Sequence, residues 1–119
     1  MATRVEYQGS IKSIELFIND DGNCPTYDFL ETLSASNRRK VDHLFQLMGE
    51  KGQIKNKERF KKLEGTNGIF EFQSHQIRLL CFLVGSKVVI CRAVMKKRDL
   101  HAEQDIRFAT ECRRGFTGG

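Results

Sequence analysis

The chain turns on residues 60–97. It begins Phe60-Lys61-Lys62-Leu63-Glu64-Gly65-Thr66-Asn67-Gly68-Ile69-Phe70-Glu71-Phe72 and, after a turn, runs Ile77-Arg78-Leu79-Leu80-Cys81-Phe82-Leu83-Val84. Past Gly85-Ser86 it continues Lys87-Val88-Val89-Ile90-Cys91-Arg92-Ala93-Val94-Met95-Lys96-Lys97. Short runs of branched and aromatic residues bounded by turn residues read as strands, so this is a basic loop entering a three-strand meander. With Ser74-His75 as a two-residue turn, Gln73 faces Gln76, Phe72 faces Ile77 and Glu71 faces Arg78. With Gly85-Ser86 as the second turn, Val84 faces Lys87, Leu80 faces Cys91 and Arg78 faces Ala93. Side chains alternate faces along a strand. Glu71, Arg78, Leu80, Phe82, Cys91, Ala93 and Lys97 then share one face, and Phe72, Leu79, Cys81, Ile90 and Val94 the other. Both faces are apolar except where Glu71, Arg78 and Lys97 converge, and that end reads as a site. A slip of one residue in either turn undoes the assignment.

Working outward, Ile11, Ile14, Leu16 and Ile18 suit a first strand over about 11–18, with residues 1–9 a loose polar start and Asn19-Asp20-Asp21-Gly22-Asn23 a turn. Pro25 fits the first position of a helix over about 25–33, with Tyr27, Leu30 and Leu33 at helical spacing. Ser34 or Ser36 caps a second helix, whose apolar stripe is Val41, Leu44, Phe45 and Met48; Gly49 and Gly52 end it. Residues 53–68 are basic, with Lys55, Lys57, Arg59, Lys61 and Lys62 around two core anchors, Phe60 and Leu63. After the meander, Asp99 or His101 caps a last helix. Glu103 and Asp105 lie in its first turn, Arg113 and Arg114 in its last, and Gly115 stops it, leaving 116–119 as a frayed tail. The expected fold is α+β, in the order β-α-α-β-β-β-α, with a twisted, mainly antiparallel sheet and a helical hairpin on one face.

A chain of 119 residues is one domain, here with a core over about 10–114, and is long enough to fold without metals or disulfides. Its 39% hydrophobic and 29% charged residues exclude a disordered chain. No apolar run reaches the ~20 residues of a membrane span. The first residues lack a secretory pattern, so the expected location is the cytoplasm. Cys24, Cys81, Cys91 and Cys112 form no C-x-x-C pair, which leaves neither a zinc nor a redox motif and suits reduced, structural thiols. The net charge of +5 and pI near 9.2 favour a polyanionic partner such as nucleic acid, or an acidic protein.

Lys61-Lys62-Leu63-x-Gly65, then Gly68-Ile69-Phe70-Glu71-Phe72, then Ile77-Arg78 resembles the signature of the RelE/HigB/ParE superfamily of bacterial toxins. Val88-Val89-Ile90 and Met95-Lys96-Lys97 resemble the final strand and closing basic motif of its phage-derived HigB-like branch, and the resemblance spans about residues 57–114. It implies a RelE-like fold and a compact toxin that cleaves mRNA on the ribosome without metal or other cofactor. It also implies silencing by a tightly bound cognate antitoxin, expected to be of helix-turn-helix type. Cleavage in that family proceeds by attack of the ribose 2′-hydroxyl on the adjacent phosphate, which needs a base, an acid and cations around the developing charge. Carried over residue by residue, Arg78 matches the sheet arginine that contacts phosphate, and Glu71 the strand glutamate. Lys61 and Lys62 match the basic residues entering the second strand, and Lys96, Lys97 and Arg98 the basic cluster closing the last. Lys57 and Arg59 add to the RNA-binding surface.

Two departures bear on catalysis. Gln73 stands where the family often has Arg, and no Tyr lies near the start of the last helix. His101 lies near that place and is the candidate acid or base. His75, at the hairpin turn, is a second candidate or an exposed turn residue; His43 reads as packing or surface. Glu71 is either a general base or the partner of Arg78 in a salt bridge, and Arg92 reads as a snorkelling edge residue. The same departures favour an alternative, a non-catalytic binder: a gyrase inhibitor or an inactive phage-derived relative. A third reading is a basic domain whose partner is an acidic protein.

Overall fold

The caps and strand runs of the sequence give nine elements in the computed structural model, which describes residues 2–96 and 101–118. They are β1 (Thr3–Gln8), β2 (Ser13–Phe17), α1 (Pro25–Glu31), α2 (Ala35–Lys51), β3 (Phe60–Lys62), β4 (Phe70–Ser74), β5 (Ile77–Val84), β6 (Lys87–Met95) and α3 (Glu103–Thr117). The strands form one six-stranded sheet in the order β1-β2-β6-β5-β4-β3. Its pairs are antiparallel except β2 with β6. The fold is α+β, as the sequence implies. Helices α1 and α2 cover one face over Ile14, Leu16, Phe72, Leu79, Cys81 and Ile90. Helix α3 covers the other, over Phe17, Leu63, Leu80, Phe82, Val89 and Cys91.

Two strands escape the pattern of apolar residues. β1 is largely exposed and carries no alternation of its own; it is held by its ladder to β2 and by Thr3, whose hydroxyl donates to Glu15 at 2.5 Å. β3 is three residues long and pairs with β4 at the sheet edge, inside what reads as a basic loop.

Helix α2 runs past Gly49 and ends at Gly52, the second glycine expected to stop it, and α3 runs past Gly115. α2 continues through Gly49 to Gly52, which takes the left-handed conformation at φ 77° and donates to the Met48 carbonyl. Gly49 is where the β1–β2 turn docks. A Cβ on Gly9 would lie 2.3 Å from the Gly49 backbone, and one on Gly49 would lie 2.6 Å from the Tyr7 ring. The Gly49 carbonyl accepts from the amides of Ile11 and Lys12 at 2.9 and 3.0 Å. α3 continues through Gly115 because Phe116 packs 5.4 Å from Phe82 and 6.3 Å from Phe17, so the tail is anchored up to Thr117 and capped at Gly118. Ser34 is the N-cap of α2, accepting from the Asn37 amide at 3.1 Å. Ala102, with no side-chain bond, stands at the N-cap of α3 in place of His101; Asp99 lies outside the described residues.

The meander differs from its expected register at two points. The first turn is His75-Gln76, with His75 left-handed at φ 53°, so Gln73 faces Arg78 and Glu71 faces Leu80. The second turn is as expected, with Val84 opposite Lys87, but a bulge follows: Cys81 faces Ile90 while Leu80 faces Arg92. The extra residue, Cys91, sits in the α3-side core together with Leu80. Beyond the bulge the faces exchange. Arg92 turns to α3, and Ala93 packs against the core under the helix pair, the reverse of the unbulged assignment.

All four cysteines are free thiols; burial, with the Glu71 carboxylate nearby, pushes Cys81 well above the usual thiol range.

Gly9→Ala forces backbone against backbone and is expected to lower stability by roughly 1–3 kcal/mol, read as a fall in the urea midpoint. Glu15 supplies a pH dependence. Burial pushes its pKa up, but hydrogen bonds from Ser13 and Thr3, with Lys87 nearby, outweigh that and leave it lowered. A lowered folded-state pKa stabilises above the unfolded value of about 4.3 and is lost as pH falls through the folded value. Acid unfolding curves of Glu15→Gln should accordingly be flatter than those of the parent below that pH.

Candidate active site

Alternation along β4 points Glu71 into the α3 side of the sheet, between Lys61 of β3 and Leu80 of β5. The residue is 0% exposed. A carboxylate removed from water this completely needs partners. Oε2 lies 2.5 Å from Nε2 of His101, whose side chain is 4% exposed. Oε1 makes no hydrogen bond but lies 3.7 Å from Nζ of Lys61. With Glu71 ionised, Nε2–H of His101 donates to it and Nδ1 is the nitrogen left for other chemistry.

His101 is held there by the start of α3. Asp105, in the first turn, is buried, and its Oδ1 accepts from Nε of Arg92 at 2.9 Å. The same guanidinium lies 5.0 Å from the Phe108 ring centre. Arg92 is thus a clamp between β6 and α3, placed by the bulge, and not a snorkelling edge residue.

Around this pair opens a cleft of about 620 Å³. Lys55, Lys57, Lys61, Lys62 and Lys96 line it together with Glu71, His101 and Glu64, over apolar walls that include Ile54, Leu63 and Ile106. Five ammonium groups against two carboxylates give it an excess of positive charge. Among the described residues, no three His, Cys, Asp or Glu side chains gather to hold a metal ion.

The expected site residues fall into three groups. Glu71, His101, Lys57, Lys61, Lys62 and Lys96 come together in the cleft. Arg78 and Arg59 do not line it. The turn at His75-Gln76 sets Arg78 beside Gln73 instead of Glu71, so the Glu71–Arg78 salt bridge does not form. Arg78 Nη1 donates to the carbonyls of His75 and, at 3.0 Å, Ile77, and its Nε is buried without a partner among the described residues. Arg59 faces a second hollow with His75, and His43 is exposed. Lys97 and Arg98 lie outside the described residues. Sequence reasoning passed over Asp105 and the Arg92 clamp; the one signal was an arginine inside an apolar strand, which needs an acid from elsewhere.

An α+β domain with a lysine-lined cleft over a buried acid–imidazole pair is the class of protein that this geometry defines. The chain belongs to the Gp49-like family of phage-derived proteins: the description "Phage derived protein Gp49-like (DUF891)" matches residues 28–114, which hold every residue lining the cleft. That family is related to RelE-type toxins. No curated protein and no solved structure matches the chain.

Arg92→Ala removes a partly exposed partner from a buried acid. We expect a loss of about 1–2 kcal/mol in denaturant unfolding, with amide exchange rising first in the opening turn of α3.

Proposed function

We propose that this protein is the toxin of a type II toxin–antitoxin pair, an endoribonuclease that cuts translated mRNA on the ribosome in the cytoplasm, without a metal. The observation that carries the reading is the buried Glu71–His101 pair in a cleft ringed by lysines. On this reading His101 is the catalytic acid or base: its imidazole takes the proton of the attacking 2′-hydroxyl or returns one to the departing 5′-oxygen. Glu71, without solvent exposure, acts through His101 as a positioning residue, holding the ring and offsetting its charge when protonated. Lys61, Lys62, Lys57 and Lys96 bind the phosphodiester and stabilise the charge of its transition state, with Lys97 and Arg98 continuing the basic run that Lys96 begins. Arg78 holds the β4–β5 turn through backbone carbonyls. The same positive cleft suits an acidic segment of a cognate antitoxin, a helix-turn-helix protein on this reading.

One observation favours the second reading, a non-catalytic binder: the Arg78 guanidinium is turned onto backbone carbonyls and away from the cleft.

Induced expression in bacteria, followed by growth and by primer extension on an abundant message, separates the two. The ribonuclease predicts arrest with new 5′ ends inside translated codons. His101→Ala should slow cleavage by roughly 10²–10⁴-fold, and Glu71→Gln should slow it less and move its pH profile. Arrest without new ends selects the binder; new ends that persist at full rate in His101→Ala remove the site assigned here.

A further inference from the structure

The second hollow lies at the β4–β5 turn. It measures about 300 Å³ and is lined by Lys40 of α2, Glu58, Arg59, Gln73, Ser74 and His75. Lys40 Nζ lies 3.0 Å from Nε2 of His75. An ammonium only donates, so that ring nitrogen accepts. Among the described residues neither Lys40 nor Arg59 has an acid within ion-pair distance. Glu58 is the single acid of the hollow, beside two permanent cations, an amide and a hydroxyl. Its floor is held firmly: His75 is the one non-glycine residue with positive φ among those described, and Arg78 binds its carbonyl from below. The hollow also adjoins the cleft, because Lys57 lines one and Glu58 and Arg59 the other.

We infer that Lys40, Arg59 and His75 form a second phosphodiester subsite, so that a single RNA strand leaves the cleft along residues 57–59 and crosses the β4–β5 turn to α2. This rests on the endoribonuclease reading and extends it: the substrate is a strand engaged at two separate places, not at the scissile phosphate alone. The flexible ammonium and the planar guanidinium would each neutralise a backbone phosphate, with Gln73 and Ser74 as neutral donors.

The test is fluorescence anisotropy with single-stranded RNA bearing 2′-O-methyl riboses, which cannot be cut, in two lengths of about four and about twelve nucleotides. Wild type should bind the longer strand more tightly, with a steeper dependence on salt. Lys40→Ala and Arg59→Ala should each lower the salt slope for the long strand by about 0.7, abolish most of the advantage of length, and leave the short strand's affinity unchanged. Lys51→Ala, the same charge loss at the other end of α2, should leave both strands unaffected. Both target side chains are exposed, so thermal unfolding should not move. If the two variants match wild type on the long strand, or if Lys51→Ala lowers the slope as much, the subsite falls while the cleft reading stands. If wild type binds neither strand, the subsite falls, while the endoribonuclease reading is decided by the primer-extension assay.

Discussion

A carboxylate with no exposure, on the strand beside the short edge strand of the sheet, is the constraint on which the rest of this molecule depends. Glu71 cannot be left in an apolar core alone, and the structure meets that demand from two directions. β3, only three residues long, brings Lys61 alongside, and the chain entering α3 brings His101. Removing the need for a partner at Glu71 would remove the reason for both. The Arg92–Asp105 clamp is one layer further out, tying the helix that follows His101 to the strand beside it.

Two single-residue irregularities set that geometry. The period of a strand is two, so an extra residue within a strand sends every later side chain to the opposite face. A turn displaced by one residue instead moves the pairing by two and keeps the faces. The turn at His75-Gln76 moves Arg78 from Glu71 to Gln73. The bulge at Cys91 turns Arg92 toward α3 and sends Ala93 to the opposite core. The first irregularity frees Glu71 for His101; the second supplies the clamp that keeps α3 in reach. The turn closes the β4–β5 hairpin, and the bulge lies midway along the β5–β6 ladder.

The charge pattern is as organised as the packing. The lysines of residues 55–62 and Lys96 collect on one rim, while acids such as Glu6, Glu15 and Asp105 are taken up in pairs with Arg38, Lys87 and Arg92. Apart from Lys61, which faces Glu71, these rim lysines have no acid within ion-pair distance among the described residues. The endoribonuclease reading proposed above gives that concentration a target in RNA.

Much of this was legible in the residues. Pro25, Ser34 and the stripe Val41-Leu44-Phe45-Met48 define the two helices of one face, and the apolar runs after Phe70 define the meander, because caps and periodicity are local properties. Glu71, Lys61 and Lys62 stand out by type and placement, and the resemblance to the toxin superfamily adds Lys96 and His101. What no local rule contains is which partner each one takes. β1 and β3 exist because neighbouring strands offer them a ladder, α2 and α3 pass through Gly49 and Gly115 because docking there outweighs a glycine's cost of about 1 kcal/mol, and a left-handed His75 with one extra Cys91 reassigns Arg78 and Arg92. The sequence by itself determined the elements and the chemistry available; tertiary packing decided the pairs, since a buried charge is satisfied only by what the whole chain folds next to it.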